Sequence, residues 1–197
     1  MDGKQERKHS PTAKLTVEEM GRMSVADFKT AEKLPLVMVL DNVRSLHNIG
    51  SVLRTADAFR LSGVWLCGIT ATPDNNLVEI DKTALGAEES VEWHHTDDTL
   101  EAVRMLRDEG YTIVAIEQCH GSVMLHEWTA WPEGGGRRRY AFIMGNEVKG
   151  VDQRVVDAAD MVIEIPQYGT KHSLNVSVTA GVVMWEVLRQ ALSQGLL

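Results

Sequence analysis

The sequence predicts an α/β domain built around a parallel sheet, and three observations lead there. Runs rich in Val, Ile and Leu alternate with amphipathic stretches along most of the chain, the order that βαβ units produce. The 197 residues, 44% hydrophobic and 24% charged, suit one domain with a single sizeable core. Three strand-like runs end on polar or glycine-rich turns, and open α/β sheets bind ligands at the carboxyl ends of their strands.

Residues 1–33 form a polar N-terminal extension with seven bases against six acids. Within it Thr16-Val-Glu-Glu19 and Ser24-Val-Ala-Asp27 each predict a short helix, because a capping residue is followed three places on by an acid. Residues 34–197 form the main domain. Its predicted strands are Leu36–Leu40, Val64–Gly68, Thr112–Ile116, Ala141–Met144 and Met161–Ile165, each short, apolar and rich in β-branched residues or bounded by turn signals. The predicted helices are Gly50–Arg60, Thr99–Glu109, Val151–Ala158 and a long last one from Leu174 to Leu192. Trp131-Pro-Glu-Gly-Gly-Gly136 has no periodicity and is expected to be a mobile surface loop. The sequence contains no internal repeat and no low-complexity tract.

The formal charge of −8 argues superficially against a polyanionic partner, but the distribution matters more. Nine acids (Asp74, Glu79, Asp81, Glu88, Glu89, Glu92, Asp97, Asp98 and Glu101) share one segment with a single base, Lys82. That segment carries the whole excess. Bases gather instead at Arg7/Lys8/Lys14, Arg44/Arg54/Arg60 and Arg137–Arg139, which leaves room for a local basic face. The 134–139 Gly/Arg run is a candidate RNA grip or a solvated surface. No apolar stretch is long enough to cross a bilayer and Met1–Ser10 has no apolar signal region, so a cytoplasmic protein is expected. Cys67 and Cys119 lack metal or disulfide spacing and are expected to be reduced thiols. Trp93-His94-His95 resembles a ligand pair, but adjacent residues of a strand face opposite ways, and no metal site is expected.

Chemistry concentrates in three segments. In Leu40-Asp-Asn-Val-Arg-Ser-Leu-His-Asn48-Ile-Gly50-Ser-Val-Leu-Arg54 a strand gives way to a polar loop and a helix starting near Gly50. Arg54 would lie one turn inside, where helix amides and a guanidinium together suit a phosphate. In Phe142-Ile-Met-Gly145-Asn146-Glu147-Val-Lys-Gly150 a strand enters a turn whose glycines allow close backbone approach. In Ile163-Glu-Ile165-Pro-Gln-Tyr-Gly-Thr-Lys-His-Ser173-Leu174-Asn175-Val-Ser177 another strand leads to the last helix, capped by Ser173 or a neighbour. No Gly-x-Gly-x-x-Gly follows the first strand, which disfavours a dinucleotide-binding enzyme.

Taken in order, Asn48-x-Gly-x-x-x-Arg54, Gly145-Asn-Glu147-x-x-Gly150 and Ile165-Pro…Ser173-Leu-Asn175-Val-Ser177 resemble the three motifs of the SpoU (TrmH-like) branch of the SPOUT methyltransferases. The resemblance runs from about Pro35 to Gln190. It implies a parallel sheet with helices on both faces and a C-terminal deep trefoil knot, an arrangement otherwise almost absent from proteins. It implies S-adenosyl-L-methionine bound in the knot at Gly145, Asn146, Ile165 and Leu174, and a homodimer to which Val182, Val183, Met184, Trp185 and Leu188 of the last helix contribute, with the core of the single chain as the equal alternative for that apolar set.

The implied reaction is transfer of a methyl group to a ribose 2′-hydroxyl of tRNA or rRNA, tRNA slightly favoured. The alternative is a catalytically silent module of the same fold that binds the cofactor and RNA. The family proposes the arginine of the first motif, here Arg54, as the key catalytic residue. A guanidinium does not readily give up a proton, so Arg54 is expected to hold a phosphate beside the target ribose and to stabilise the developing alkoxide. The alternative for Arg54 is a surface ion pair with Asp41 or Asp57. Asn48, Glu147, Ser173 and Asn175 complete the implied catalytic set, each with a structural alternative as loop tie or cap. No metal is required, because the leaving group departs neutral.

Overall fold

The computed structural model describes residues 12–132 and 138–196. In chain order its elements are α1 (Val25–Thr30), β1 (Leu34–Asp41), α2 (Leu46–Ala58), β2 (Leu61–Cys67), α3 (Pro73–Ala84), α4 (Ala87–Ser90), β3 (Trp93–Thr96), α5 (Thr99–Asp108), β4 (Tyr111–Ile116), β5 (Val123–Met124), β6 (Arg139–Met144), α6 (Gln153–Ala158), β7 (Met161–Glu164) and α7 (Val176–Ser193). The strands form one sheet in the order β3-β2-β1-β6-β4-β7-β5, and every pairing is parallel.

Alternation along β1 shows why helices cover both faces. Leu36, Met38 and Leu40 join a cluster with Ile49 and Leu53 of α2 and Val183 and Val187 of α7. Val37 and Val39 point the other way, to Ala102 and Leu106 of α5 and Val155 of α6. A central strand buried on both sides reads as a continuous apolar run, and each such side chain contributes roughly 1.5–3 kcal/mol. Buried Gln190 fastens α7 to the segment before β6, accepting from the Ala130 amide at 2.7 Å and donating to the Trp128 carbonyl at 3.0 Å.

Pairing aligns the carboxyl ends of the central strands. Met144 of β6 lies beside Leu40 of β1 on one side and Ile116 of β4 on the other, and Ile116 pairs with Ile163 of β7. Asp41, buried at the end of β1, accepts from Thr99 Oγ1 at 2.6 Å and from the Asp152 amide at 2.9 Å. It thereby fixes the starts of α5 and α6.

Several expectations need correction. Of the two expected helices in the N-terminal extension, Ser24 caps α1, whereas the Thr16/Glu19 pair closes only a turn, with Thr16 N–Glu19 Oε2 at 2.7 Å and Glu19 N–Thr16 Oγ1 at 3.3 Å. β3, β5, α3 and α4 are not among the predicted elements. Trp131, expected in a mobile loop, is buried, and its indole donates to the Arg138 carbonyl. Residues 133–137 and the Arg7/Lys8 cluster lie outside the described residues. Arg139, expected at the tip of a basic run, stacks 4.1 Å over the Tyr111 ring and donates to the Glu109 carbonyl. Of the apolar set on the last helix, read equally as dimer face or core, Val183 and Met184 are core residues of the single chain, whereas Val182 and Trp185 are exposed.

Candidate active site

Beyond the aligned strand ends lies a cavity of about 630 Å³. Ile116, Met144, Ile165, Leu174 and Val176 contribute to its apolar lining, and the polar groups come from the 145–150 turn, from Glu117 and Gln118 after β4 and from the 164–175 segment. Its walls are the loops that follow β4, β6 and β7. Among the residues predicted from sequence, Gly145, Asn146, Glu147, Ile165, Ser173, Leu174 and Asn175 all line it.

The 145–150 turn is shaped by two glycines. A Cβ on Gly145 would fall 2.1 Å from the Gly150 carbonyl carbon and the Val151 nitrogen, so the two arms of the turn touch only without a side chain. Gly150 has φ +71°, which a β-carbon disfavours. Asn146 closes the turn through paired backbone bonds with Gly150 at 3.0 and 2.9 Å. Its side chain accepts from the Val148 and Lys149 amides and donates to the Asn42 carbonyl at 2.7 Å.

Glu147 reaches from this turn to the start of α2. Its carboxylate accepts from the Arg44 amide at 3.2 Å, the Ser45 amide at 3.1 Å and Asn48 Nδ2 at 3.1 Å. Partial burial pushes its pKa up, but backbone amides, including those of Arg44 and Ser45, and the Asn48 side chain outweigh that, so the carboxyl titrates below the usual glutamate range. Asn48 in turn accepts from Asn175 Nδ2 at 3.2 Å and Ser177 Oγ at 3.3 Å. Asn175 is the N-cap of α7, accepting from the Ser177 and Val178 amides. One chain of hydrogen bonds therefore joins the three motif segments.

This network revises the reading of the first motif. α2 begins at Leu46 behind the N-cap Ser45, not near Gly50. Gly50 sits inside the helix because α3 presses on it: a Cβ would lie 2.2 Å from Thr83 Oγ1 and 2.3 Å from the Ile80 carbonyl oxygen. Arg54 is consequently more than two turns in, not one. The amides of Arg44 and Ser45, just ahead of the helix, are taken by the carboxylate of Glu147. Arg54 is exposed and does not line the cavity. Among the described residues it makes no hydrogen bond or ion pair, and its two candidate partners are engaged elsewhere, Asp41 as above and Asp57 with Ser90 Oγ at 3.1 Å. Ser173 lies on the cavity wall and the cap falls to its neighbour Asn175.

Sequence reasoning missed Glu117 and Gln118, which follow β4 and line the cavity. They belong to none of the three motifs, and only the rule that ligands meet strand ends pointed at their position.

Among the described residues no group of three or more His, Cys, Asp and Glu side chains could hold a metal ion. His94 lies 3.2 Å from Glu92 and His95 lies 3.4 Å from Asp97. Among those residues, too, no helix is long and apolar enough to cross a membrane.

The sequence model of the SpoU rRNA Methylase family matches residues 35–185, which contain all three networked segments up to and including most of α7. The chain belongs to the SpoU rRNA Methylase family. One relative in the family is the 23S rRNA (guanosine-2′-O-)-methyltransferase RlmB of Neisseria meningitidis serogroup B, 33% identical over 79% of this chain and 59% of the relative. A protein of Staphylococcus saprophyticus assigned to the TrmH family of tRNA/rRNA methyltransferases is 31% identical over 84% of this chain and 63% of its own length. The chain thus spans about three fifths of these curated relatives. Among solved SpoU-type structures, the TrmH/SpoU tRNA modifying enzyme of A. aeolicus superposes with a TM-score of 0.72 at 27% identity, covering 87% of this chain and 82% of that one. The AdoMet-bound rRNA methyltransferase of Sinorhizobium meliloti gives 0.70 at 27% identity, covering 80% of this chain and 60% of that one.

Proposed function

We propose that the chain is an S-adenosylmethionine-dependent methyltransferase acting on a ribose 2′-hydroxyl of tRNA or rRNA. The observation that carries this reading is the chain Glu147–Asn48–Asn175, which ties the first-motif helix to two segments that line the cavity. The relatives add the reaction class: RlmB is named for guanosine 2′-O-methylation of 23S rRNA, and the S. meliloti rRNA methyltransferase is seen with AdoMet bound.

The cavity fits such a cofactor. Its volume falls within the range of small-molecule sites, and its mixture of apolar side chains with backbone polar groups matches an adenosine joined to a short polar tail. Gly145, Asn146, Ile165 and Leu174 are the residues placed to hold it. The bound cofactor supplies a methyl group on a sulfonium, which leaves as a neutral thioether. The protein then has to orient the attacking oxygen and tolerate its developing negative charge. Arg54, fixed in charge, free of partners among the described residues and outside the lining of this cavity, is assigned that charge and the adjacent phosphate on its place in the first motif. Glu147, saturated by three donors and held ionised, positions the α2 loop.

Three further features belong to the proposal. The segment from β6 through α7 is the part that forms the knot in this reading. The working form is a homodimer, supported by an exposed apolar stripe on α7 formed by Val178, Val182 and Trp185. The compartment is the cytoplasm, where tRNA and rRNA are met. The test is transfer of labelled methyl from S-adenosylmethionine to separated pools of unmodified tRNA and rRNA, followed by nuclease digestion. Label on a ribose 2′-oxygen supports the assignment and names the substrate pool. Label on a base overturns the assignment, and RNA and cofactor binding without transfer identifies a silent module.

A further inference from the structure

We infer that Glu117 is a positioning residue for the cofactor, holding the 145–150 turn against the floor of the cavity. This rests on the reading of the cavity as the S-adenosylmethionine site and adds a residue that none of the three motifs contains.

Glu117 directly follows β4, which lies between β6 and β7. Its amide donates to the Ile163 carbonyl at 3.1 Å, extending the pairing with β7, so the direction of its side chain is set by the sheet. From there Oε2 accepts from the Val151 amide at 3.0 Å and Oε1 from the Gln118 amide at 2.9 Å. The contact with the turn is close. A Cβ on Gly150 would stand 2.1 Å from Oε2, so the absent side chain at Gly150 is what admits the carboxylate. The neighbouring Gln118 reaches the opposite wall, where its Nε2 donates to the His172 carbonyl at 2.8 Å. One dipeptide at a strand end thus grips both loops expected to enclose the cofactor, the 145–150 turn and the 165–175 segment.

Without the carboxylate, the Val151 amide loses its acceptor and the turn loses its tie to the sheet. A cofactor held mainly by backbone groups then has to organise that turn as it binds, which costs affinity without touching RNA recognition. An amide side chain still offers one oxygen to Val151, so Glu117→Gln is the conservative rescue.

The experiment is calorimetric titration of the full chain with S-adenosylhomocysteine, alongside RNA affinity measured without cofactor. Glu117→Ala is expected to weaken S-adenosylhomocysteine about tenfold, and Glu117→Gln to stay within about threefold of wild type, in keeping with the loss of roughly one ordered hydrogen bond. In turnover, the KM for S-adenosylmethionine rises in Glu117→Ala while RNA affinity is unchanged. Gln118→Ala, an exposed position whose loss leaves the sheet intact, is expected to weaken S-adenosylhomocysteine about threefold. It provides a readout even where Glu117→Ala does not fold. Binding by Glu117→Ala and Gln118→Ala equal to wild type overturns the inference, as does equal loss in Glu117→Ala and Glu117→Gln. Wild-type protein that itself binds no S-adenosylhomocysteine overturns the cofactor reading and the inference with it, a pattern distinct from a defect confined to the variants.

Discussion

Glu147 and Asn48, 99 residues apart in the chain, meet at 3.1 Å between carboxylate and side-chain amide. Glu147 lines the cavity, and it is an ionised acceptor whose pKa is held down by its donors. Because the folded carboxyl binds its proton less tightly than the unfolded one, its stabilisation is complete above the ordinary glutamate value of 4.5 and fades as pH falls through the lower folded value. Glu147→Gln is expected to cost about 1 kcal/mol at neutral pH, at the low end for a charged acceptor because the residue is exposed to water. In urea unfolding, the gap between wild type and variant should close as pH drops below 4.5. A gap that widens there would contradict the assignment.

Arg54→Ala separates chemistry from folding. The side chain is exposed, so stability should change by no more than about 0.5 kcal/mol. Methyl transfer should fall about a hundredfold or more, while S-adenosylhomocysteine still binds. Undiminished turnover in this variant would remove Arg54 from the chemistry.

The two cysteines differ in accessibility, and only Cys119 lines the cavity. Burial pushes the Cys67 thiol up to about 11, and burial with the nearby Glu117 and Glu164 charges also raises Cys119, which remains partly accessible on the cavity wall. Since thiolates are the reactive form, a disulfide reagent at mildly alkaline pH is expected to modify Cys119 slowly and Cys67 only after denaturation. S-adenosylhomocysteine should slow the Cys119 reaction further. Two fast thiols in the native protein would be inconsistent with this packing.

Trp185 tests assembly. It is 52% exposed, and its ring lies tilted against Phe59 with centroids 6.1 Å apart. Trp185→Glu should therefore fold, yet sediment as a monomer at concentrations where wild type is a dimer, since a charge on an apolar interface carries a desolvation cost. A wild-type protein that sediments as a monomer would refute the dimer.

The buried parts of the fold were legible because their side chains alone announce them. β1, β2, β4, β6 and β7 are apolar runs, and their bounds shift by only a few residues. β3 is Trp-His-His-Thr at a sheet edge and β5 is two residues long, so neither has an apolar signature to read. α3 was hidden by its polar sequence and by Asn76, whose φ of −138° breaks the helical path. With α3 unread, nothing in the sequence marks Gly50 as a mid-helix contact, and Arg54 reads as one turn inside α2 where the structure has it more than two turns in. The family resemblance groups Asn48, Glu147 and Asn175 in one set without saying which of them touch. That depends on pairings across the sheet, as does the contact between Glu117 and the turn.

The sheet order also separates charge. Of the nine acids between Asp74 and Glu101, all but Glu88 are exposed, and they lie on α3, α4, the start of α5 and the connections that flank β3. The cavity opens beyond β6, β4 and β7, on the far side of β1. The surface that accounts for the chain's formal charge of −8 is therefore set on the other flank of β1 from the cavity, so the net charge of the whole chain does not describe the surroundings of the site.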